Sequence, residues 1–545
     1  MWLVGVLAGV RCGVVLAGEL VVPEECATEC VLRLGAVSVD VEGHAVRTRG
    51  YNGGVPGPII RARAGERLRI LVVNELNDDD NEQRGHNEIT LPNVTNLHTH
   101  GLHYEYDIPA SHMGGTHWYH PHHHGSVSLQ AGGGAAGLLI VADEAGAVPP
   151  EVERMVEVPI LLTYVDPVVY EFQGYFNRAF FKSAPPDGFL LTNSQVAPRL
   201  TVEIGTWYRA RLCVNDADGV AVTLSMTQDT TGCEMHLLAK DGVYLPQAPR
   251  EVVQLPMYAG ARADVALRCA ANGTASLGAA IDGRDFVALE LVVPPAASDP
   301  APDIPQFLVN RPCYLSDTRD AAVEPDVRLA FDVGDWDESF PEDHTYVGTL
   351  PSGSLVEVVT SPQTHPLHIH INHFQLTDVQ AADANYWQDG DWADTLRAEA
   401  ESATLRFYTN DFVGEMVVHC HNLVHEDEGM MQVFWIQGDA SSYDPRCNFT
   451  PGFNYTRANS TSRIGLSLCC DNNNNSSSYP AWLLPFLIAV VVLLLAAGYI
   501  ALRRRRRRRR RAAARRLDND DKTPAVVKGD DDDDDDKTTF AGPAS

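Results

Sequence analysis

His419-Cys420-His421-Asn422-Leu423-Val424-His425-Glu426-Asp427-Glu428-Gly429-Met430 is the stretch that decides how this 545-residue chain is read. On an extended strand residues i and i+2 share a face, so His419 and His421 point to one side and Cys420 between them to the other. One strand can therefore touch two metal sites. A cysteine thiolate with two imidazoles and a weak axial thioether selects copper and makes a blue electron-transfer centre. Cys420, His425, Met430 and one distant histidine, His365, supply that set.

Working outward, three further segments carry the same spacing: Asn96-Leu97-His98-Thr99-His100-Gly101, Trp118-Tyr119-His120-Pro121-His122-His123-His124-Gly125 and His365-Pro366-Leu367-His368-Ile369-His370. In a chain with 20 histidines a single H-x-H reads as a pair of surface or satisfied core residues. Four in this order read as one metal site. Each pair offers two imidazoles to one side of a sheet, eight nitrogens in all.

The pattern H-C-H-x3-H-x4-M from His419 and H-P-x-H-x-H from His365 resembles the multicopper oxidases. The likeness extends to Tyr51-Asn52-Gly53-Gly54-Val55-Pro56-Gly57-Pro58-Ile59-Ile60 and Ala239-Lys240-Asp241-Gly242-Val243, and covers roughly residues 35 to 438. What the resemblance implies is four coppers per chain. A type 1 copper would be held by His365, Cys420 and His425 with Met430 axial. A type 2 copper would take His98 and His368. Paired type 3 coppers would take His100, His120, His122, His370, His419 and His421. His123, His124 and His373 are left for supporting or surface roles.

The same resemblance implies one-electron oxidation of a small donor at the type 1 site and four-electron reduction of dioxygen to water at the cluster. Cys420, covalently joined to His419 and His421, is the expected electron path. Glu426 resembles the acid that the family places near the cluster for proton delivery, for which a working group needs a suitable position and pKa. The alternative reading of Glu426 is a solvated surface carboxylate. One spacing departs from the family: His98 and His120 are only 22 apart, about eighteen residues short of the usual interval. The shortening removes the place of a second acid, for which Asp107 is a weak substitute, and is expected to hinder the reach of His98 and His100.

Short Val- and Leu-rich runs such as Arg67-Leu68-Arg69-Ile70-Leu71-Val72-Val73, separated by Gly, Pro and Asn clusters, predict an all-β fold. With the resemblance, this becomes three cupredoxin-like (plastocyanin-like) Greek-key β-sandwich domains plus one C-terminal transmembrane helix. The expected organisation is a signal peptide at 1–17, domain 1 at 28–145, a copper-free domain 2 at 150–300, domain 3 at 305–440, a glycosylated stalk at 441–479, a transmembrane helix at 481–502 and a cytoplasmic tail at 503–545. The 481–502 run has no charge and is long enough for ~30 Å of hydrocarbon. Arg503 to Arg511 follow at once as a stop-transfer signal, giving a type I single-pass orientation with the oxidase extracellular or lumenal.

Charge and cysteines agree with an outward-facing protein. Residues 503–545 hold 14 basic and 10 acidic side chains, so the remainder carries 28 basic against 62 acidic, a balance of −34. Such a surface attracts cations and excludes nucleic acid as a partner. Of 11 cysteines, nine remain once Cys12 and Cys420 are set aside, and they can form at most four disulfides whose pairing the sequence leaves open. Glycosylation sequons occur at Asn93, Asn272, Asn448, Asn454, Asn459 and Asn474/Asn475.

The electron donor is less legible. A phenol or aromatic amine, as in laccases, is the leading expectation, and ferrous or cuprous ion the second. A membrane-anchored copper-binding protein without turnover is the third. The anchor resembles that of fungal ferroxidases that work beside a metal permease, although those usually lack an axial methionine. Asp389, Asp391 and Asp394 around Trp387 and Trp392 are the candidate carboxylates for an iron entrance. No methionine-rich insertion for cuprous ion is present among nine methionines.

Overall fold

The computed structural model describes residues 18–41, 44–76, 93–99, 105–165, 188–217, 219–295, 300–319, 321, 327–330, 346–361, 365–380, 385–398, 402–410, 412–438 and 455–457. His100, the expected signal peptide at 1–17, the expected membrane helix at 481–502 and the expected tail at 503–545 lie outside them. Among the described residues no helix is long and apolar enough to cross a membrane. Three residues within the predicted stalk, Tyr455–Arg457, pair antiparallel with Phe307–Val309 and so are tied to the body of the fold.

Strands dominate because the chain alternates. Glu29–Val41 opens with exposed Glu29, Val31 and Arg33 against buried Cys30, Leu32 and Leu34, the period of a strand with one face in a core. Between residues 25 and 142 two sheets form. One orders Glu25–Cys26, Ile59–Arg63, Gly137–Ala142, Gly115–His120 and His98–Thr99, and the other His44–Tyr51, Glu29–Val41, Arg67–Asn74 and Glu105–Asp107. Leu32, Leu34, Ile60, Leu68, Tyr119 and Leu139 fill the space between them. Among the described residues, an eight-stranded and a five-stranded sheet follow between Val156 and Val293, and two five-stranded sheets between Val327 and Gln437. Parallel pairings between strands distant in sequence, such as Glu29–Val41 with Arg67–Asn74 and Gly348–Pro351 with Met431–Gln437, mean that the chain crosses between sheets instead of meandering.

Buried charge joins the three parts. Asp264 accepts from Thr116 Oγ1 at 2.5 Å, Arg209 Nη2 at 2.5 Å and Arg211 Nη1 at 3.0 Å, linking the strand that carries His120 to the middle sheets. Arg262 donates to both carboxylate oxygens of Asp394 at 2.8 and 2.5 Å and faces Asp241 at 3.4 Å. Lys240 reaches Asp391 at 2.7 Å and sits 3.7 Å from the Trp387 ring centroid. Arg262→Met, which keeps the volume, would leave Asp394 and Asp241 buried without their cation. Denaturant unfolding of that variant should show a loss of about 3–5 kcal/mol.

Two disulfides are formed among the described residues, Cys26–Cys30 and Cys233–Cys269, and Cys213 is a buried free thiol. Cys213 is therefore one of the nine that does not pair.

Candidate metal centre

Strand register brings the histidine segments together. His98 lies opposite His120, and Leu367–Ile369 runs antiparallel to Gly414–Cys420 with His368 opposite His419 and Leu367 opposite Cys420. The expected obstacle in the shortened first segment does not arise for His98. Its ring centroid is 4.6 Å from that of His122 and 4.4 Å from that of His370. His368, with which the resemblance pairs it, is farther at 6.0 Å. Asp107 takes no part: it is exposed on a strand edge and bound to Arg67 at 2.5 Å.

On one face of the H-C-H strand the imidazoles converge. His419 Nε2 is 3.3 Å from His122 Nε2 and 3.2 Å from His370 Nε2, and the His120 and His421 ring centroids are 5.7 Å apart. His120, His368 and His419 each place Nδ1 against a backbone carbonyl, of Pro121, Asp394 and Cys420, at 2.8, 2.8 and 2.9 Å. A carbonyl can only accept, so Nδ1 carries the proton and Nε2 presents its lone pair inward, the tautomer that a metal needs. Burial and the neighbouring imidazoles hold His419 neutral, well below the usual histidine range.

On the other face Cys420 Sγ lies 3.5 Å from His365 Nδ1 and 3.7 Å from His425 Nδ1, and those two nitrogens are 3.2 Å apart. Burial pushes the Cys420 thiol up to about 12, so only a bound cation would hold it as thiolate at neutral pH. Burial also lowers His425 to about 4, leaving its lone pair available. The helix Leu423–Glu428 that carries His425 starts on Asn422, whose side chain accepts from Val424 N and His425 N. It ends on Gly429, whose left-handed φ of 101° turns the chain back. That turn buries Met430 and sets its carbonyl to accept from Cys420 N at 3.1 Å. Donor set and spacing fit copper: one thiolate with two imidazoles on one side, an imidazole cluster on the other.

Models of the multicopper oxidase family match residues 34–146 and 322–440. The chain is 25% identical over 447 residues to multicopper oxidase MmcO of Mycobacterium tuberculosis, covering 72% of this chain and 84% of that protein. It is 23% identical over 484 residues to a laccase of Bacillus subtilis, covering 71% and 89%. The chain belongs to the multicopper oxidases. Among solved structures it shares its fold with a laccase-like multi-copper oxidase of Ochrobactrum sp., at a TM-score of 0.59 and 20% identity, covering 77% of this chain and all of that one. The Campylobacter jejuni multicopper oxidase, described as a metallo-oxidase, has a TM-score of 0.55 at 18% identity and covers 77% and 94%.

Membership of the multicopper oxidases makes the chain a copper oxidoreductase, and sharpens what its other residues do. Glu426 is not a solvated carboxylate. It is fully buried, with Oε1 3.3 Å from His122 Nδ1 and Oε2 3.5 Å from His419 Nδ1. Burial, and then the adjacent Asp427 carboxyl, push it well above the usual carboxylate range. The leftover histidines support the frame: His124 Nδ1 meets the Glu426 carbonyl at 3.1 Å and His373 Nε2 the Asp241 carbonyl at 2.7 Å.

The three aspartates expected at an iron entrance are otherwise engaged. Asp391 is bound by Lys240 and Arg250, Asp394 by Arg262, and both are buried, while Asp389 accepts from Val379 N. Two residues escape sequence reading. Asn422 and Asp427 stand inside the decisive stretch but carry no ligand spacing. Only the helix-start pattern of Asn422 ahead of Leu423 and Val424 offers a signal.

Proposed function

We propose that this chain is a laccase-like oxidase built of three cupredoxin-like domains. It oxidises phenols or aromatic amines one electron at a time at a type 1 site of His365, Cys420, His425 and axial Met430. Dioxygen is reduced to water at a trinuclear cluster of a type 2 site on His98 and His368 and a type 3 pair on His100, His120, His122, His370, His419 and His421. The observation that carries this reading is the single strand Gly414–Cys420 continuing into His421, whose two faces meet two separate donor sets. Bound copper would supply one-electron acceptance on the thiolate side and multi-electron reduction of dioxygen on the imidazole side.

The chain's own residues do the rest. Cys420 bridges the two sets through its peptide bonds to His419 and His421. The carbonyl partners of His120, His368 and His419 hold the imidazoles in one tautomer. Glu426 holds a proton beside His122 and His419 for delivery to reduced oxygen. Glu426→Gln should slow oxygen uptake about 10²-fold or more. Reduction of the blue site by donor under anaerobic conditions should stay at the parent rate, and stopped-flow absorbance reads both.

Metal oxidation is the weaker reading, because Asp391 and Asp394 face cations inside the protein. The deciding experiment is oxygen uptake by the copper-loaded full-length protein with a phenolic donor, ferrous ion and cuprous ion in parallel. Fastest turnover on the phenol supports the proposal, and fastest turnover on a metal ion replaces it. No uptake at full copper content leaves a copper-binding protein.

We place the oxidase outside the cytoplasm on a type I anchor at 481–502. Glycosylation at the exposed Asn272, with loss of the 503–545 tail and protection of the oxidase when protease is added to sealed microsomes, would check that orientation.

A further inference from the structure

Among the described residues, two residue pairs join the first histidine segment to the second: His98 lies opposite His120 and Thr99 opposite Tyr119. Carried on by two positions, the same antiparallel register sets Asn96 opposite His122. The backbone cannot continue the ladder evenly to that point, because the intervening position falls on Pro121, which has no N–H.

Asn96 takes over where the ladder stops. Its Oδ1 accepts from His122 N at 2.6 Å, and its Nδ2 donates to His122 O at 2.9 Å. A side-chain amide carries the same donor and acceptor as a peptide group, so these two bonds do for His122 what a facing strand residue would do. The orientation of the amide is fixed as well, since a backbone N–H can only donate and a carbonyl only accept. The segment around Asn96 is itself anchored. Leu97 is buried in the core between the first two sheets, with Tyr119 and Leu139. Val94 O accepts from Gln130 Nε2 at 2.7 Å and from Ser126 Oγ at 3.0 Å.

What Asn96 holds is an imidazole that meets both ends of the chain. His122 shares one group of converging donor atoms with His98 and His370, and another with His419 and Glu426. Its Nε2 stands 3.3 Å from His419 Nε2, and its ring centroid is 4.6 Å from that of His98 and 5.1 Å from that of His370. His120, His368 and His419 turn Nδ1 to a backbone carbonyl, whereas His122 turns Nδ1 to the Glu426 carboxyl at 3.3 Å. A carboxyl at the end of a side chain has more freedom than a main-chain carbonyl, so the place of this ring depends more on how its own backbone is held.

We propose that Asn96 is a positioning residue: by holding the backbone of His122 it sets that imidazole between the histidines of the first part of the chain and those of the last. This inference rests on the assignment of His122 to the type 3 pair. The short strand His98–Thr99 suffices because a side chain makes the rungs that Pro121 denies the backbone.

The test compares Asn96→Ala and Asn96→Asp with the parent, all as full-length copper-loaded proteins. Two quantities are read on each: hydrogen exchange at the His122 amide by peptide mass spectrometry, and the copper retained during titration with EDTA. Asn96→Ala should speed exchange at His122 about 10-fold, as the loss of an ordinary hydrogen bond does. It should weaken retention of the cluster copper by ~10–100-fold, as the loss of an orienting partner does. The blue absorption, which reports Cys420 on the other face of its strand, should stay unchanged. Asn96→Asp keeps an acceptor for His122 N and lacks the donor for His122 O, so it should fall between the two and serves where the alanine variant folds poorly. Parent-like exchange and copper retention in the alanine variant overturn the proposal, and so does faster exchange with copper retention unchanged. Loss of the blue absorption together with the cluster copper in both variants would show a merely structural residue and overturn it too. A parent protein that binds copper at Cys420 and nowhere else sinks the cluster reading instead, and exchange at His122 still decides whether Asn96 holds it.

Discussion

Cys420→Ser should abolish turnover with a phenolic donor and bleach the blue absorption, while copper analysis still finds the cluster metals. The reason is positional as well as chemical. Cys420 Sγ lies 3.5 Å from His365 Nδ1 and 3.7 Å from His425 Nδ1. Serine keeps the shape but offers a hard, protonated oxygen where a soft thiolate is needed to select copper. The neighbouring His419 and His421 point the other way and keep their partners, so the cluster should retain its metal. A variant that kept the parent rate would show that electrons enter by a path other than Cys420.

Asp427→Ala should have the next largest effect, and its signature differs. The Asp427 carboxylate accepts from Gly125 N at 2.8 Å, Val127 N at 3.0 Å, Ser128 N at 2.8 Å and Ser128 Oγ at 2.5 Å. Those donors follow directly on His122, His123 and His124 and begin the short helix Val127–Gln130. Asp427 itself belongs to the helix that carries His425, so one carboxylate sets the first domain's histidines against the last domain's. Removing it strands buried N–H groups and should cost about 3–5 kcal/mol. Copper analysis should then find the type 1 metal and its colour retained but the cluster depleted, with oxygen uptake lost in proportion. Asp427→Asn, which can still accept, should fall between the two. Full copper content in the alanine variant would sink the idea that this contact holds the cluster together.

Legibility followed the range of the interaction. The alternation in Glu29–Val41 and the H-x-H triplets were readable because strand parity is a property of adjacent residues. Sequence misleads where the partner lies far along the chain. Asp391 and Asp394 look like surface acids in sequence, but Lys240, Arg250 and Arg262 arrive from the middle sheets to bury them. The short interval after His98 looked like an obstacle, yet a two-residue strand opposite His120 suffices to bring its ring beside His370. Nothing local to His117 announces that its face of the strand meets His373, which comes from the last part of the chain.

By itself the sequence determined the chemistry: which atoms can bind metal, that Cys420 faces away from His419 and His421, and that the chain would fold as strands. These follow from covalent geometry and side-chain type, which act over a few residues. Only the tertiary structure decided which imidazoles meet, that Glu426 is buried between His122 and His419, and that Asp427 closes the first domain on the last. Those contacts join residues about 300 apart, and they form only when packing and buried charge set one sheet against another.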